Sequence, residues 1–107
     1  MNNLKINGEE LKNNSYTLKA PDAKEGEMVK MEYIVTNVSN KDLIISSVAT
    51  SCGCTDADYD RAPIKPGQDT IIVFSFNSKN KEGFNVKSGT MYSNFDSVTL
   101  KFEINVI

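Results

Sequence analysis

The stretch Val98-Thr99-Leu100-Lys101-Phe102-Glu103-Ile104-Asn105-Val106 decides the fold class of this chain. Its apolar residues fall on every second position, with Thr99, Lys101, Glu103 and Asn105 between them. A helical twist would scatter those five side chains around the axis, whereas a strand places them all on one face. One face is therefore buried and the other wet, as in an antiparallel sheet with one solvated side.

The same period extends outward from there. Between Glu27 and Asn37, the residues Val29, Met31, Tyr33 and Val35 share a face, opposite Lys30, Glu32 and Thr36. Met28 and Ile34 are the exceptions. From Asp69 to Asn77 the inward set is Ile72, Phe74 and Phe76, and Ile71 with Val73 makes the second face partly apolar, which predicts a central strand. Leu43 and Ile45 alternate, and Val48 then breaks step by one residue, which predicts a β-bulge. Val86 to Tyr92 reads as a weaker strand and Tyr16 to Leu18 as a short one.

Turn chemistry punctuates these runs at Pro21-Asp22, Glu25-Gly26, Ser39-Asn40-Lys41-Asp42, Lys65-Pro66-Gly67-Gln68 and Asn80-Lys81-Glu82-Gly83. Pro followed by Gly suits a type II turn, whose second central residue needs positive φ. No window carries a capped 3.6-residue period. The expectation is all-β: a β-sandwich of about seven antiparallel strands in two packed sheets. Residues 1–14 read as a polar N-terminal tail or short edge strand carrying Leu4 and Ile6, and 15–107 as one sandwich domain.

Composition limits the function. With 107 residues there is room for one domain. Lys and Arg number 12 against 14 Asp and Glu, a net −2, which gives no electrostatic reason to expect nucleic acid as partner. Histidine is absent, which removes Ser–His and Cys–His nucleophiles, imidazole proton shuttles and His-ligated metals. No apolar run approaches the ~20 residues of a membrane-spanning helix.

One motif carries pointed chemistry: Ser51-Cys52-Gly53-Cys54-Thr55. Disulfide geometry asks for Cα atoms about 4.4–6.8 Å apart, which an extended tripeptide just exceeds, and Gly53 supplies freedom to bend into range. Three chemistries are open to Cys52 and Cys54. The first is structural, a local bridge or two buried thiols. The second is a soft-metal site for Cu(I) or Zn, completed by Met28, Met31, Met91, a nearby Asp or a second copy of the chain. The third is thiol redox exchange, ranked last because Arg61 is the only cationic residue within ten positions on either side. No other cofactor is expected.

Asp56-Ala57-Asp58-Tyr59-Asp60 imitates the opening of a calcium loop but has Arg61 where glycine is required, so it reads as a solvated acidic loop. Asn13-Asn14-Ser15 and Asn37-Val38-Ser39 match the glycosylation sequon. Phe74, Phe76 and Phe102 belong to inward faces, while Tyr59, Tyr92 and Phe95 are candidates for a small exposed patch.

Taken in order, Gly26-Glu27, a strand ending at Asn37, Leu43-x-Ile45-x-x-Val48, Ser51-Cys52-Gly53-Cys54-Thr55, Pro63-Ile64-x-Pro66-Gly67, Gly83 and Ser93-Asn94 form a pattern. It resembles a bacterial family of domains of unknown function marked by the Ser-Cys-Gly-Cys-Thr signature. That family is similar to the Hydin-like and PapD-like branch of immunoglobulin-fold modules. The resemblance covers roughly residues 15 to 106. It implies an immunoglobulin-like β-sandwich on exported or lipid-anchored proteins of the bacterial cell envelope, with Ser51, Thr55, Pro66 and Gly67 supporting the cysteine motif. It supplies no activity. No export signal is present in the sequence, so the envelope setting carries the expectation that Met1 stands where a leader, with any lipid anchor, has been removed. A chain that truly began there would stay cytosolic with its thiols reduced.

The expectation for function is thus a noncatalytic module, not an enzyme, of an envelope, periplasmic or secreted protein. It would bind another protein through a sheet edge or loops. The alternative is the Cu or Zn, or thiol-redox, site at Cys52 and Cys54.

Overall fold

The computed structural model describes residues 3–107. Nine strands form, and no helix is present among the described residues. They are β1 (Leu4–Ile6), β2 (Glu9–Glu10), β3 (Ser15–Lys19), β4 (Met28–Asn37), β5 (Ile45–Thr50), β6 (Thr55–Asp58), β7 (Asp69–Asn77), β8 (Gly83–Ser93) and β9 (Val98–Val106). A five-stranded sheet in the order β2-β1-β4-β7-β6 faces a four-stranded sheet in the order β3-β9-β8-β5. The immunoglobulin-like sandwich expected from the sequence is the fold.

Two details differ from that expectation. Strand count rises from about seven to nine because β2 and β6 are short additions to the sheet that also holds the short strand at Leu4 and Ile6, β1. The pairing is also not wholly antiparallel: β3 runs parallel to β9, with Tyr16 beside Leu100 and Leu18 beside Phe102. A terminal segment that crosses from one sheet to the other meets its neighbour in whichever direction it arrives.

Side-chain period and register agree throughout the core. Val98, Leu100, Phe102, Ile104 and Val106 of β9 are all buried, as are Ile72, Phe74 and Phe76 of β7. On β4, Met31, Tyr33 and Val35 are buried and Val29 is half-buried. Met28, Ile34 and Ile71 face water, so the second face of β7 is wet although the strand is flanked on both sides. Edge-to-face aromatic contacts tie the layers together at Phe76–Phe102, 5.4 Å, and Phe74–Phe102, 6.3 Å between centroids, while Tyr33–Phe74 at 5.0 Å links neighbouring strands within one sheet.

Leu4 and Ile6 are buried, and β1 lies between β2 and β4, so the edge at this side belongs to β2. Met1 and Asn2 of the expected tail lie outside the described residues. The bulge occurs where Val48 loses step, as a register shift between Ile45 and Ser47 against β8. Lys65-Pro66-Gly67-Gln68 closes its turn with Gln68 N–H donating to Lys65 O at 3.0 Å and Gly67 at φ +82°.

The first part of the acidic run, Asp56 to Asp58, is strand rather than loop, because Asp56 and Asp58 pair with Ser75 and Val73 of β7 and point outward; Tyr59 and Asp60 lie beyond it. Asn37 of the second sequon is fully buried. Its amide donates to Lys41 O and Ile64 O and its oxygen accepts from Ser39, so it is a structural residue that no glycan reaches.

Two substitutions test this core. A Cβ at Gly89 would stand 2.7 Å from Phe74 Cζ and 2.9 Å from the Ala49 carbonyl oxygen, with little room to shift. Gly89→Ala is expected to cost about 1–3 kcal/mol in urea unfolding. Tyr33 donates its hydroxyl to Lys101 O at 2.9 Å. Burial, and secondarily the neighbouring Tyr16, push its ionisation well above the ordinary phenol range. Its folded value is raised, so its contribution is fully present below the unfolded value near 10 and is lost as pH climbs above that toward the folded value. Stability measured from pH 9 to 12 should therefore fall more steeply in the parent than in Tyr33→Phe.

Candidate functional site

The signature residues form the corner where the chain leaves the four-stranded sheet for the five-stranded one. Strand β5 ends at Thr50 beside Gly89 of β8, and β6 begins at Thr55 beside Phe76 of β7. Between them, Cys52 and Cys54 are joined by a disulfide with Cα atoms 5.2 Å apart. Two residues of strand would span about 6.6–6.8 Å. The bridge therefore holds the chain in a bend at the point where it has to change sheets.

Hydrogen bonds fix the corner on every side. The Ser51 N–H and hydroxyl both donate to Ser88 O, at 3.0 and 2.8 Å. Thr55 N–H donates to Cys52 O at 3.1 Å, and the Thr50 hydroxyl donates to Thr55 O at 2.9 Å. Asn77 N–H takes Cys54 O at 2.8 Å, anchoring the turn to β7. Cys54 N–H points at Cys52 Sγ, 3.2 Å away. Thr55 is buried, while Gly53 lies exposed at the tip.

Of the remaining motif residues, Pro66 and Gly67 are not at this corner. Gly67 N–H donates to Asn37 O, at the end of β4 farthest from Met28, whereas Met28 pairs with Asn77 beside Cys54. The two parts of the pattern thus stand a full β4 length apart, about 30 Å. Met31 and Met91 lie in the core and Met28 on the outer face of its sheet. Joined to each other, the sulfurs are not thiolates, so a Cu or Zn site at Cys52 and Cys54 requires the reduced form. No group of three or more His, Cys, Asp or Glu gathers among the described residues.

Tyr59, Tyr92 and Phe95 do not form one patch. Tyr59 continues β6 in one sheet, with Arg61 over its ring, whereas Tyr92 lies on β8 in the other and Phe95 packs against the core. The sequence reading missed what lies beside the corner. Strand β5 covers β8 only from Gly89 to Ser93, while β9 pairs with β8 from Gly83 to Met91. From Gly83 to Lys87, β8 is paired on one side and open on the other. Because Ser88 O faces Ser51, strand alternation turns the main-chain groups of Val86 and Phe84 the same way, into the open side. Their side chains are exposed on the outer face, Phe84 at 67% and Val86 at 51%. The alternation Phe84-x-Val86 was available in the sequence, but nothing local reveals where the neighbouring strand stops.

Closing a three-residue loop removes little chain entropy. Opening the bridge, by reductant or in Cys52→Ser/Cys54→Ser, is expected to lower unfolding free energy by about 1.6 kcal/mol at most. Urea titrations of both forms check this, and a larger loss would mean that the corner's hydrogen bonds fail with the bridge.

A comparison with curated proteins found no match. Among solved structures, the chain is similar to a protein of unknown function from Porphyromonas gingivalis W83, with TM-score 0.77 and 19% identity, covering 95% of this chain and 46% of that one. It is similar to the Vibrio cholerae VesB protease, with TM-score 0.76 and 9% identity, over 97% of this chain and 32% of the protease. The PapD-like domain 7 of human CEP192 aligns with TM-score 0.64 and 11% identity, over 98% of this chain and 85% of that domain. At such identities the likeness is one of fold, and the chain spans less than half the length of the first two. The family described as "Protein of unknown function (DUF1573)" matches residues 10–107, and the chain belongs to it.

Proposed function

We propose that this chain is a noncatalytic module of a bacterial envelope or secreted protein, and that it binds another protein by taking an extended segment onto the open edge of β8. The observation that carries this reading is the run Gly83–Lys87, paired to β9 alone, with Phe84 and Val86 exposed beside it. A segment laid there would gain main-chain hydrogen bonds along the edge and apolar contacts at alternate positions. The bridge between Cys52 and Cys54 supports the extracytoplasmic part of the reading, since such bonds persist in oxidising compartments. The lack of histidine, and of a gathered cluster of ionisable groups among the described residues, supports a binding role over a catalytic one.

Selection of random extended peptides against the labelled chain tests the proposal. Binders should shift the backbone resonances of Phe84 to Lys87 and lose affinity in Phe84→Lys. Binders that map to other surfaces would overturn the edge as the docking site. Turnover of any substrate that vanished on substituting Cys52 or Cys54 would overturn the noncatalytic reading.

A further inference from the structure

We propose that the partner on this edge is a second copy of the chain, with Gly83–Lys87 pairing antiparallel to the same residues about a two-fold axis through Asn85. The inference rests on the edge of β8 being a docking surface and names its occupant.

Register carries the choice. The free main-chain groups belong to Phe84 and Val86. An antiparallel pairing centred on Asn85 sets Phe84 of one copy opposite Val86 of the other, twice. Both are then hydrogen-bonded positions, each exchanging its N–H and C=O with the residue across. The same pairing lays the exposed Phe84 ring against the exposed Val86 side chain of the second copy on the outer face, an aromatic and β-branched pair that favours strand association. Opposite Lys87 it places Gly83, so no like charges meet.

Length agrees with register. The open run is limited at one end by the contact of Ser51 with Ser88. At the other, the chain turns away through Asn80 at φ +61° and Gly83 at φ +102°. An incoming strand of the same length therefore fits the gap, and its own loop departs where the disulfide corner begins. Three of the four edge strands are obstructed. The edge strand β2 is Glu9–Glu10, β6 turns Asp56 and Asp58 outward, and β5 carries the register shift after Ile45. Charged residues and bulges are the usual devices against edge pairing; the run Gly83–Lys87 has no bulge, and its one charge, Lys87, sits at its end opposite Gly83 of the second copy.

The contact is isologous, so it closes as a dimer rather than growing into a fibre. It is also small. Two five-residue runs bury far less than the roughly 1,200–2,000 Å² of a standard stable interface, so the dimer is weak and forms only at high local concentration.

Sedimentation of the full chain over a rising concentration series, with amide hydrogen exchange on the same samples, tests this. The average mass should shift from one chain toward two, and exchange at Phe84 and Val86 should slow in step with it. Phe84→Lys and Val86→Pro should both stay monomeric. Each tolerates its change, since Phe84 is exposed and the Val86 N–H is not used by β9. A chain that stays monomeric at its highest soluble concentration overturns the proposal, as does a dimer that persists in both variants or leaves exchange at Phe84 and Val86 unchanged. If the parent stays monomeric while extended peptides still shift the Phe84–Lys87 resonances, only the identity of the partner falls. If the peptides fail as well, the docking edge falls with it.

Discussion

Phe74 sets the spacing between the two layers. Its ring reaches across from β7 into the space left by Gly89 on β8 and meets Phe102 of β9 edge to face. A side chain larger than hydrogen at Gly89 would strike the ring, and a smaller one at Phe74 would leave a void in a close-packed interior. Tyr33 on one side and Phe76 on the other extend the same contact along the sandwich. Once these rings are seated, β7 cannot slip by one residue against its neighbours without turning its core face to water. The register of β4, β7 and β6 follows from that, and with it the level at which the chain has to leave β5.

That level decides the chemistry of the edges. Thr50 is the last residue of β5 because Thr55 has to be buried next to Phe76 in the other sheet. Few residues lie between, and they cross from one layer to the other. The four-stranded sheet is therefore complete only along half of β8. The open half is a consequence of the core geometry rather than of weak strand propensity, since Phe84 and Val86 are good strand residues. An edge with open main-chain groups thus arises where packing in the interior forces an early exit.

The core was legible because each of its strands buries one face and wets the other. β9 showed all five inward residues, β7 showed three, and the loss of step at Val48 marked a real bulge. What escaped the sequence depends on contacts between distant segments. The parallel approach of β3 to β9 leaves no trace in either strand's own pattern. Strand β6 was hidden by its aspartates, although Thr55-x-Ala57-x-Tyr59 does alternate inward and outward. The cysteine pair was visible as a motif with several chemistries; that Cys52 and Cys54 are bridged where the chain changes sheet was not. Pro66 and Gly67 belong to the same sequence pattern but serve Asn37, at the far end of β4.

The role of the bridge follows from its size. A ring so short constrains few unfolded conformations, so its worth to global stability is slight compared with bridges that close long loops. What it does constrain is direction. With Cα atoms held at 5.2 Å, Cys52 and Cys54 cannot adopt the rise of a strand, and β5 cannot continue past Ser51 along β8. Ser51 spends both of its donors on Ser88, which ends the ladder at that residue. Cys54 then hands the chain to β7 through its carbonyl. The signature therefore acts as a stop: it turns the chain away from β8 after Ser51, at the level the core packing sets, and leaves Phe84 and Val86 beside an open edge.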